Sequence, residues 1–586
     1  MLVPSGIYSD KGTGDLRKLF LNESRWSHLY AFQNERFIFV AVDHRFKVAA
    51  VQVEKGGKPG KLLTRFRLGP GDSPESYELE GDIPDEKGYL QVSVEEVEEF
   101  SPYSGAILEI RTPRDLEIVK KLYANSLLLG GKSKDGWNIK YSTEFHMTND
   151  SKLFPLRSKW EEQGYRPDEY GHWLKGNWQT HKGEQNILKR SYGLILSADG
   201  SACIQQEEIE DSALPLYQGG MINQLDSCAS AYRQIEGKRG FKWVPISGGN
   251  KQLEPQYLMG RNTYLRTKGV THSSKLVFRC ISNSTNQRSF IGTVIDDLPC
   301  GNSLAVLDAN HSPLLGALLN SFVVDWAIRK RIVGTNLNWF VMEELPTPAF
   351  SDRRLLSQMA NSLVLAHLRF AREWTPVDGK PWKACWAVTA YERLRSRAIF
   401  ESLTAFFFGL SVDDFAEIVE GCDHPADALA SSPYSRKLNT KGFWRFQKFE
   451  QPELRLAVLS QVAFKNLSAI GLNEFLSQND GQGWQLPETL RLADYGLGHD
   501  DRAKEHQPVA TALGPRFYDW QLEQSVSESW EECERHAEIL GKLLPRSFTE
   551  PEFQPDNEDA PLVDLFGEPL ATNLFGEVIT KKSSRR

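Results

Sequence analysis

Residues 37–53 read FIFVAVDHRFKVAAVQV. The runs Phe37–Val42 and Phe46–Val53 are rich in aromatic and β-branched residues, a composition that favours buried strands. Apolar spacing between Asp10 and Tyr30 predicts a helix followed by a strand. A hydroxyl, a proline and an acid in Thr112–Asp115 mark the start of a further helix. The first 150 residues are therefore predicted to be mixed α/β.

The 586 residues carry a net charge of −8, so no global positive field attracts the chain to nucleic acid. Any such binding requires a local basic surface. The longest apolar runs are shorter than the roughly 18 residues of a membrane span, and the first residues lack the pattern of a signal peptide. None of the seven cysteines forms a Cys-x-x-Cys pair, so neither a disulfide framework nor a zinc site is predicted. These features predict a globular protein with reduced thiols in the cytoplasm.

The chain divides by composition into four segments. Residues 1–150 are the α/β segment, and residues 151–350 are rich in aromatic, Gly, Asn and Gln side chains. Residues 351–544 show helical periodicity, and residues 545–586 are rich in Pro and acids and are predicted to be disordered. Between residues 221 and 350, fourteen Lys and Arg stand against nine Asp and Glu, which indicates the region best suited to meet phosphate.

Helix signals dominate the third segment. Ser411 and Asp414 form a predicted capping box. In the tail, the repeats Leu565–Glu568 and Leu574–Glu577 predict either a short docking motif or packing of the tail onto its own domain. The predicted helices run from Ser351 to Phe370, from Trp386 to Phe408, from Ser411 to Gly421, from Gln451 to Gly471 and from Tyr518 to Leu544.

Motifs for catalysis are sparse. No G-x-G-x-x-G loop, His-Glu-x-x-His helix or G-x-S-x-G elbow occurs. Asp226 with Glu236-Gly237-Lys238 has the acid and acid-x-Lys pattern with which a metal-dependent nuclease holds Mg²⁺ and a water. Similar triplets at Asp85–Lys87 and Asp378–Lys380 arise by chance, so a solvated turn is the favoured interpretation.

Two polar clusters, Leu216–Asp226 and Phe278–Arg288, are more informative. Both join glycine or short side chains with Asn and Gln, and the second adds Arg. Amide side chains can bind adenine bidentately, Arg can bind guanine or phosphate, and Gly-Gly allows close backbone approach. A polar turn network inside a loop-rich β domain is the alternative, and composition alone favours it.

Ten segments of the chain, given at the end of this paragraph and including the two polar clusters, resemble segments of adenine-specific DNA methyltransferases of the type IIG restriction-modification kind. They occur in the same order as in that family. The first three resemble the downstream half of the catalytic domain, and the last two resemble the helical C-terminal part. The resemblance covers most of the chain, and it rests on collinearity rather than on any single motif. The segments are 3–12 (VPSGIYSDKG), 28–34 (HLYAFQN), 39–47 (FVAVDHRFK), 216–226, 278–288, 318–321 (LLNS), 334–338 (GTNLN), 345–348 (LPTP), 441–445 (KGFWR) and 483–487 (GWQLP).

The chain departs from this family at one point. In the family, a glycine-containing loop binds S-adenosylmethionine and an Asn-Pro-Pro-aromatic motif holds the adenine amino group, and both precede the Pro-Ser-Gly segment. Here Pro4 stands close to Met1, and no Asn-Pro-Pro or Asp-Pro-Pro occurs. The resemblance therefore implies the C-terminal part of such an enzyme, from a broken gene, a wrongly placed start or one subunit of a split enzyme.

The resemblance implies an α/β fold that begins with the late strands of a Rossmann-like methyltransferase sheet, then a mixed α/β target recognition domain and a mainly α-helical C-terminal region. It implies the DNA-recognition part of an S-adenosylmethionine-dependent adenine-N6 methyltransferase from a restriction-modification or phage-defence system. The chain alone is expected to bind double-stranded DNA without binding the cofactor or methylating, and a partner chain would carry the missing half. A non-catalytic DNA-specificity subunit that works with a separate methyltransferase or nuclease is the alternative.

The resemblance also guides the choice of site residues. Residues common to the family would clamp phosphate or build the scaffold, so base-reading residues are expected between Trp137 and Gln205. Phe37 and Phe39 fall in the segment near the flipped base, with ordinary strand core as the favoured alternative. No catalytic or metal-ligating residue is predicted. The predicted DNA-binding residues are Gln224, Arg279, Asn283, Asn286, Arg288, Arg329, Lys330 and Arg331.

Overall fold

The computed structural model describes most of the chain between Met1 and Leu544. The tail predicted to be disordered, with both Leu-Phe-Gly-Glu repeats, lies outside the residues that the structure describes. Within the described residues, no helix is both long and apolar enough to cross a membrane. The described residues are 1–34, 39–43, 46–68, 89–133, 136–182, 193–235, 240–246, 251–268, 274–349, 354–374, 381, 385–419, 442–490 and 507–544.

A five-stranded sheet forms the first segment. Its elements are β1 (Leu2–Pro4), α1 (Gly6–Ser9), α2 (Gly14–Asn22), β2 (Ser24–Gln33), β3 (Lys47–Lys55), β4 (Leu62–Leu68), β5 (Leu90–Val92), α3 (Val94–Phe100) and α4 (Pro113–Ala124). The strand order is β1-β3-β2-β4-β5, and β2 pairs antiparallel with β3 and parallel with β4. Tyr8, Trp26 and Leu29 are buried in its core. The mixed pairing arises because a hairpin joins β2 to β3, whereas β4 returns alongside β2.

The structure confirms one strand of the opening stretch and corrects the other. The run Phe46–Val53 corresponds to β3. The strand predicted over Phe37–Val42 is wrong for its described part, because residues 39–42 form a turn. The Asn34 side chain causes this, since its amide nitrogen donates to Val42 O at 2.8 Å and its oxygen accepts from Phe39 N at 2.8 Å. The preceding strand is instead β2, as the spacing before Tyr30 predicts.

Small antiparallel sheets make up most of the second segment, and they include two strands from the end of the first segment, β6 (Ser126–Leu128) and β7 (Lys140–Ser142). The strands of the second segment are β8 (Arg166–Pro167), β9 (Trp173–Gly176), β10 (Gln179–Thr180), β11 (Leu194–Leu196), β12 (Ala202–Gln205), β13 (Ile209–Pro215), β14 (Ser230–Gln234), β15 (Phe241–Pro245), β16 (Leu258–Gly260), β17 (Lys275–Arg279), β18 (Gly292–Ile295), β19 (Leu304–Asp308) and β20 (Pro346–Pro348). They assemble as β18-β17-β19-β7, β16-β13-β9-β8, β10-β12-β11, β14-β15 and β20-β6. The last pair brings a strand of the first segment against the end of the second segment, with Leu128 opposite Pro346.

One helix of the second segment is buried along its whole length. The helices are α5 (Arg157–Glu161), α6 (Arg261–Lys268), α7 (Ser312–Leu319), α8 (Phe322–Arg331) and α9 (Trp339–Met342). All ten residues of α8 are buried, including its four charged ones. Ser321 caps the helix by accepting from Val324 N at 3.2 Å. A helix buried on every side must find internal partners for its charges, and this requirement shapes the surroundings of α8.

Helices dominate the part of the chain after residue 350. They are α10 (Arg354–Val364), α11 (Ala371–Trp374), α12 (Ala390–Phe407), α13 (Val412–Val419), α14 (Leu456–Ile470), α15 (Leu472–Ser477), α16 (Asp519–Glu523) and α17 (Val526–Leu543), with a two-stranded pair β21 (Thr489–Leu490) and β22 (Gln507–Pro508). The predicted capping box before α13 is confirmed, with Ser411 N at 2.8 Å from Asp414 Oδ2 and Asp414 N at 3.1 Å from Ser411 Oγ. Gly471 ends α14 at φ +82°, as predicted. The single helix predicted after Tyr518 divides into α16 and α17, because Ser525 starts a new capping box with Glu528.

The described residues are thus mixed α/β, with several small sheets and a helical C-terminal part. The Rossmann-like identity of the first sheet stays a prediction, and so do the domain boundaries near residues 150 and 350.

Candidate nucleic-acid interface

Two of the predicted DNA-binding arginines converge on one buried carboxylate, that of Asp325 in α8. Arg329 Nε donates to Asp325 Oδ1 at 2.9 Å, and Arg288 Nε lies 3.3 Å from Oδ2. The backbone N–H groups of Ser289 and Phe290 donate to the same Oδ2 at 2.8 and 3.2 Å. Asp325 therefore holds the end of the second polar cluster against α8.

Aromatic rings enclose the same two arginines. The Arg329 guanidinium carbon lies 3.9 Å from the centroid of Phe443, and that of Arg288 lies 4.2 Å from the centroid of Phe322. Arg329 also donates to Asn286 O at 2.7 Å. Cation–π contact and ion pairing together stabilise guanidinium groups away from water. Arg288 and Arg329 are only 4% and 6% exposed, so they act within the protein in this structure.

Lys330 and Arg331 point away from Asp325, towards the first segment. Lys330 Nζ donates to Asp115 Oδ2 at 2.8 Å, next to the start of α4. Arg331 pairs with Glu344 and donates to Phe100 O at 2.8 Å. The bonds to Asp115 and Phe100 join the C-terminal end of α8 to the first segment, and both cations are buried.

The predicted residues outside α8 also serve mainly internal contacts. Gln224 Nε2 donates to Phe290 O at 3.0 Å, and its oxygen accepts from Arg397 at 2.9 Å. The half-buried Arg279 donates to the backbone carbonyl of Ile222. Asn283 Oδ1 accepts from Thr285 N at 2.8 Å, which closes a turn.

The placement of this set favours the scaffold role that the sequence analysis left open, and a direct contact with DNA stays a prediction. Gln224, Arg288, Arg329, Lys330 and Arg331 are buried and occupied by the protein's own groups, and a side chain in that position builds the scaffold. The physical reason is that α8 has no solvent face, so its charges turn inward. Asn286 is exposed, and a contact between Asn286 and DNA stays a prediction.

The weak base-pocket prediction involves two phenylalanines. Phe37 lies outside the described residues. Phe39 is half-buried in the turn after β2, and its ring centroid lies 6.1 Å from that of Phe32 in an edge-to-face contact. A role near a flipped base stays a prediction for both.

The Gly219-Gly220 pair does permit a close approach, but the approaching group belongs to the protein. A Cβ added at Gly220 would lie 2.5 Å from Trp243 Nε1. Trp243 belongs to β15, so the glycine seats the hairpin formed by β14 and β15 on the rest of the segment. We call this hairpin, Ser230–Gln234 paired with Phe241–Pro245, the β-ribbon.

The β-ribbon carries aromatic groups on one face and cations on the other. Tyr232 stacks on Phe241 with centroids 5.4 Å apart, and Phe241 is 50% exposed. Arg233 and Lys242 stand opposite each other in the antiparallel register, and both are exposed. Arg233 Nε donates to both carboxylate oxygens of Glu254, at 3.0 and 2.9 Å, which restrains the cationic face.

Further basic groups lie beside the β-ribbon. Arg157 in α5 donates to Tyr232 O at 3.4 Å, and Lys159 on the same helix is exposed. The sequence analysis interpreted Glu236–Lys238 as a solvated turn and did not predict the strands on either side of it. Short alternating runs on either side of Gly240 were the signal that would have found the hairpin.

The metal-nuclease pattern consists of Asp226 and the triplet Glu236–Lys238, and the surroundings of Asp226 give that interpretation no support. Asp226 pairs with Lys251, and its Oδ1 accepts from Cys228 N at 3.1 Å. Glu236 and Lys238 lie outside the described residues. Among the residues that are described, no group of three or more His, Cys, Asp or Glu side chains could hold a metal ion.

Asp226 also lines a cavity. The cavity measures about 290 Å³ and lies where residues 225–228 and Lys251 meet α10, α12 and the segment around Arg369. Three cationic side chains line it, those of Lys251, Arg369 and Arg393. No motif in the sequence marks it, because its lining comes from segments far apart in the chain.

No protein-family model matches the chain, and no curated protein matches it. Among solved structures, the chain is similar to the type IIL restriction-modification enzyme MmeI, determined in complex with DNA, at 10% sequence identity and a TM-score of 0.30, with 70% of this chain and 46% of that chain covered. It is also similar to the type IIG restriction endonuclease BpuSI, at 10% identity and a TM-score of 0.24, with 70% of this chain and 47% of that chain covered. The chain therefore spans about half the length of these two restriction-modification enzymes.

Proposed function

We propose that this chain supplies DNA target recognition in a restriction-modification system. The observation that carries the proposal is the β-ribbon, which presents Arg233 and Lys242 on one face and the exposed ring of Phe241 on the other. The major groove of B-DNA is about 12 Å wide and admits a two-stranded ribbon. The ribbon also belongs to the region in which basic residues exceed acidic ones, against the balance of the whole chain.

Different roles follow for the residues of this surface. Lys242 and the neighbouring Lys159 are compact, hydrated cations suited to contact phosphate. Arg233 is held by Glu254, so its guanidinium has a fixed direction from which its remaining donors can approach a base edge or a phosphate. Phe241 can contact a thymine methyl group or stack on an exposed base.

The finer part of the proposal is adenine-N6 methylation dependent on S-adenosylmethionine. It is supported by the collinear resemblance from Val3 to Pro487 and not by a site within the described residues. No Asn-Pro-Pro or Asp-Pro-Pro occurs in the 586 residues. The purified chain alone is then expected to bind duplex DNA without transferring a labelled methyl group, and methylation by the chain alone would contradict this part.

Duplex binding tests the proposal directly. The affinity of the full chain for fluorescent duplexes is measured by anisotropy over a range of salt concentrations, for the wild type, Lys242→Ala and Lys18→Ala. Lys18 is an exposed lysine of α2 and serves as the matched control. Loss of one phosphate contact lowers the slope of log affinity against log salt by about one, so we expect this change for Lys242→Ala and none for Lys18→Ala. Absence of duplex binding, or equal behaviour of the two variants, would overturn the assignment of the β-ribbon.

A further inference from the structure

The lining of the cavity of about 290 Å³ contains three cationic side chains and one carboxylate. Lys251 is paired with Asp226, the single carboxylate in the lining. Arg369 is only 2% exposed, and no carboxylate of the described residues lies within 4.0 Å of it or of Arg393. Buried cations are ordinarily paired, because burial of an unpaired charge is costly. Two arginines of one cavity that have no carboxylate within 4.0 Å therefore indicate that an anion completes the site.

The hydrogen bonds of the two arginines support this interpretation. Arg393 is anchored by backbone carbonyls, donating to Leu363 O and Ala387 O at 3.1 Å and to Leu225 O at 2.8 Å. The Arg369 guanidinium donates to Ser227 Oγ at 3.2 Å and lies against the Cys228 thiol. A guanidinium has five N–H donors, so Arg369 keeps donors for a ligand. One arginine is fixed by the scaffold, and the other retains binding capacity.

The neighbouring groups do not neutralise Arg369. Asp296, whose charge favours the charged form of Arg369, is paired with Arg372 at 3.2 Å. His367 Nδ1 accepts from Arg369 N at 3.1 Å, and burial together with the Arg369 charge holds the pKa of His367 well below its usual value. His367 is therefore a neutral wall of the cavity and not a further cation.

We infer that this cavity binds a phosphate group through Arg369, with Ser227, Lys251 and Arg393 around it. A phosphate offers several acceptor oxygens to forked guanidinium donors and to a hydroxyl, which matches the donors present. Apolar side chains, among them those of Leu363, Val364 and Phe370, also line the cavity, so the organic part of a phosphate ester can lie against them. The phosphate comes either from a small phosphorylated molecule or from the DNA backbone.

Thermal unfolding of the full chain in inorganic phosphate tests the inference. A ligand that binds the folded state raises the Tm, so at constant ionic strength we expect phosphate to raise the Tm of the wild type by at least about 2 °C relative to chloride. Arg369→Met keeps the side-chain volume and removes the charge, and we expect it to abolish the shift. Arg266→Met removes an exposed arginine of α6 and should leave the shift unchanged. An equal shift in all three proteins would overturn the site.

A second variant covers the case in which Arg369→Met does not fold. Lys251 has a side chain that is 21% exposed, so Lys251→Ala is tolerated more easily. It is expected to raise the half-saturating phosphate concentration by about threefold or more, since one charged contact is lost. An unchanged half-saturating concentration would contradict the assignment of the lining.

Two further measurements, the Tm in the presence of a nucleotide and the affinity for duplex DNA, distinguish the sources of the phosphate. For a small ligand, deoxyadenosine monophosphate shifts the Tm in the absence of DNA, and Arg369→Met binds duplex DNA as the wild type does. For backbone phosphate, Arg369→Met lowers the salt slope of duplex binding by about one. If neither phosphate compound shifts the Tm and the duplex binding of Arg369→Met is unchanged, the inference is wrong. The nucleotide measurement does not depend on DNA binding, so a Tm shift would support the phosphate site even if the proposed function were wrong.

Discussion

Asp325 Oδ1 and Arg329 Nε lie 2.9 Å apart, one helical turn along a helix whose ten residues are all buried. The pair does more than neutralise two charges. The second carboxylate oxygen holds the backbone of Ser289 and Phe290, and the Arg329 guanidinium lies on the ring of Phe443. One carboxylate thereby holds the end of the second polar cluster against α8 and, through Arg329, links both to Phe443 in the C-terminal helical part.

Removal of the Asp325 carboxylate is expected to destabilise the fold strongly. Asp325→Ala leaves Arg329 and Arg288 buried without their acid and leaves two backbone N–H groups without an acceptor. Breaking a buried ion pair by removing one partner typically costs about 3–5 kcal/mol. Unfolding in urea measures this loss, and Asp308→Ala, at an exposed position of β19, is the control. A loss below about 1 kcal/mol would show that the network contributes little.

The second prediction concerns the pH dependence of stability at Glu401. Burial raises the pKa of Glu401 to about 7, although Arg288 and the N–H of Phe322, which donates at 2.7 Å, favour its charged form. Unfolded, the carboxyl has an ordinary pKa of about 4.3. Between these two values the folded state holds a proton that the unfolded state has lost, so stability falls as the pH rises through this window.

Glu401→Gln tests that dependence, because the amide oxygen can still accept from Phe322. Its free energy of unfolding relative to the wild type is expected to improve by about 2 kcal/mol between about pH 5 and about pH 8. Glu98→Gln, at an exposed position of α3, should show no such change. Parallel pH profiles of Glu401→Gln and the wild type would contradict the raised pKa.

The third prediction concerns Asp115, whose pKa shift and effect on the pH dependence of stability are opposite in direction to those of Glu401. Burial alone would raise its pKa, but Lys330 and the N–H of Arg111 hold the pKa of Asp115 below its usual value. The stability that it contributes is therefore present above an unfolded pKa of about 4 and is lost as the pH falls through the folded value. Asp115→Asn should lose about 2 kcal/mol near neutral pH and show a flatter acid limb. Urea unfolding at several acidic pH values measures both, and an acid limb as steep as that of the wild type would count against the Lys330 pair.

Local features of the fold were predictable from the sequence. The capping box of Ser411 and Asp414, the glycine that ends α14 and the strand β3 depend on residues within a few positions of one another. Such signals survive in any tertiary context because their hydrogen bonds and backbone angles are local. They locate the elements without indicating which of their side chains face solvent.

The candidate site was harder to predict, and the run Arg329-Lys330-Arg331 shows why. Three consecutive cations are typical of an exposed phosphate-binding patch. Here their acids are Asp325, Asp115 and Glu344, which lie 4, 215 and 13 residues away. Only the packing of three segments around α8 brings the last two acids into contact, and no pattern in one sequence encodes that packing. The same limit hid the β-ribbon contact between Gly220 and Trp243.

That contact supports the final prediction, in which one substitution weakens DNA binding markedly but destabilises the fold only slightly. A methyl group at Gly220 would overlap the Trp243 indole, so Gly220→Ala must shift the β-ribbon on its support. The cost in stability is expected to be about 1 kcal/mol, because the strain is local. The affinity for duplex DNA should fall about tenfold, since the displaced ribbon loses contacts worth about 1–3 kcal/mol. Anisotropy and urea unfolding are measured on the same preparations, with Gly334→Ala as the control, where an added Cβ meets nothing within 4 Å. If Gly220→Ala binds DNA as tightly as Gly334→Ala while its Tm is lowered, the β-ribbon is a structural hairpin and the DNA surface lies elsewhere.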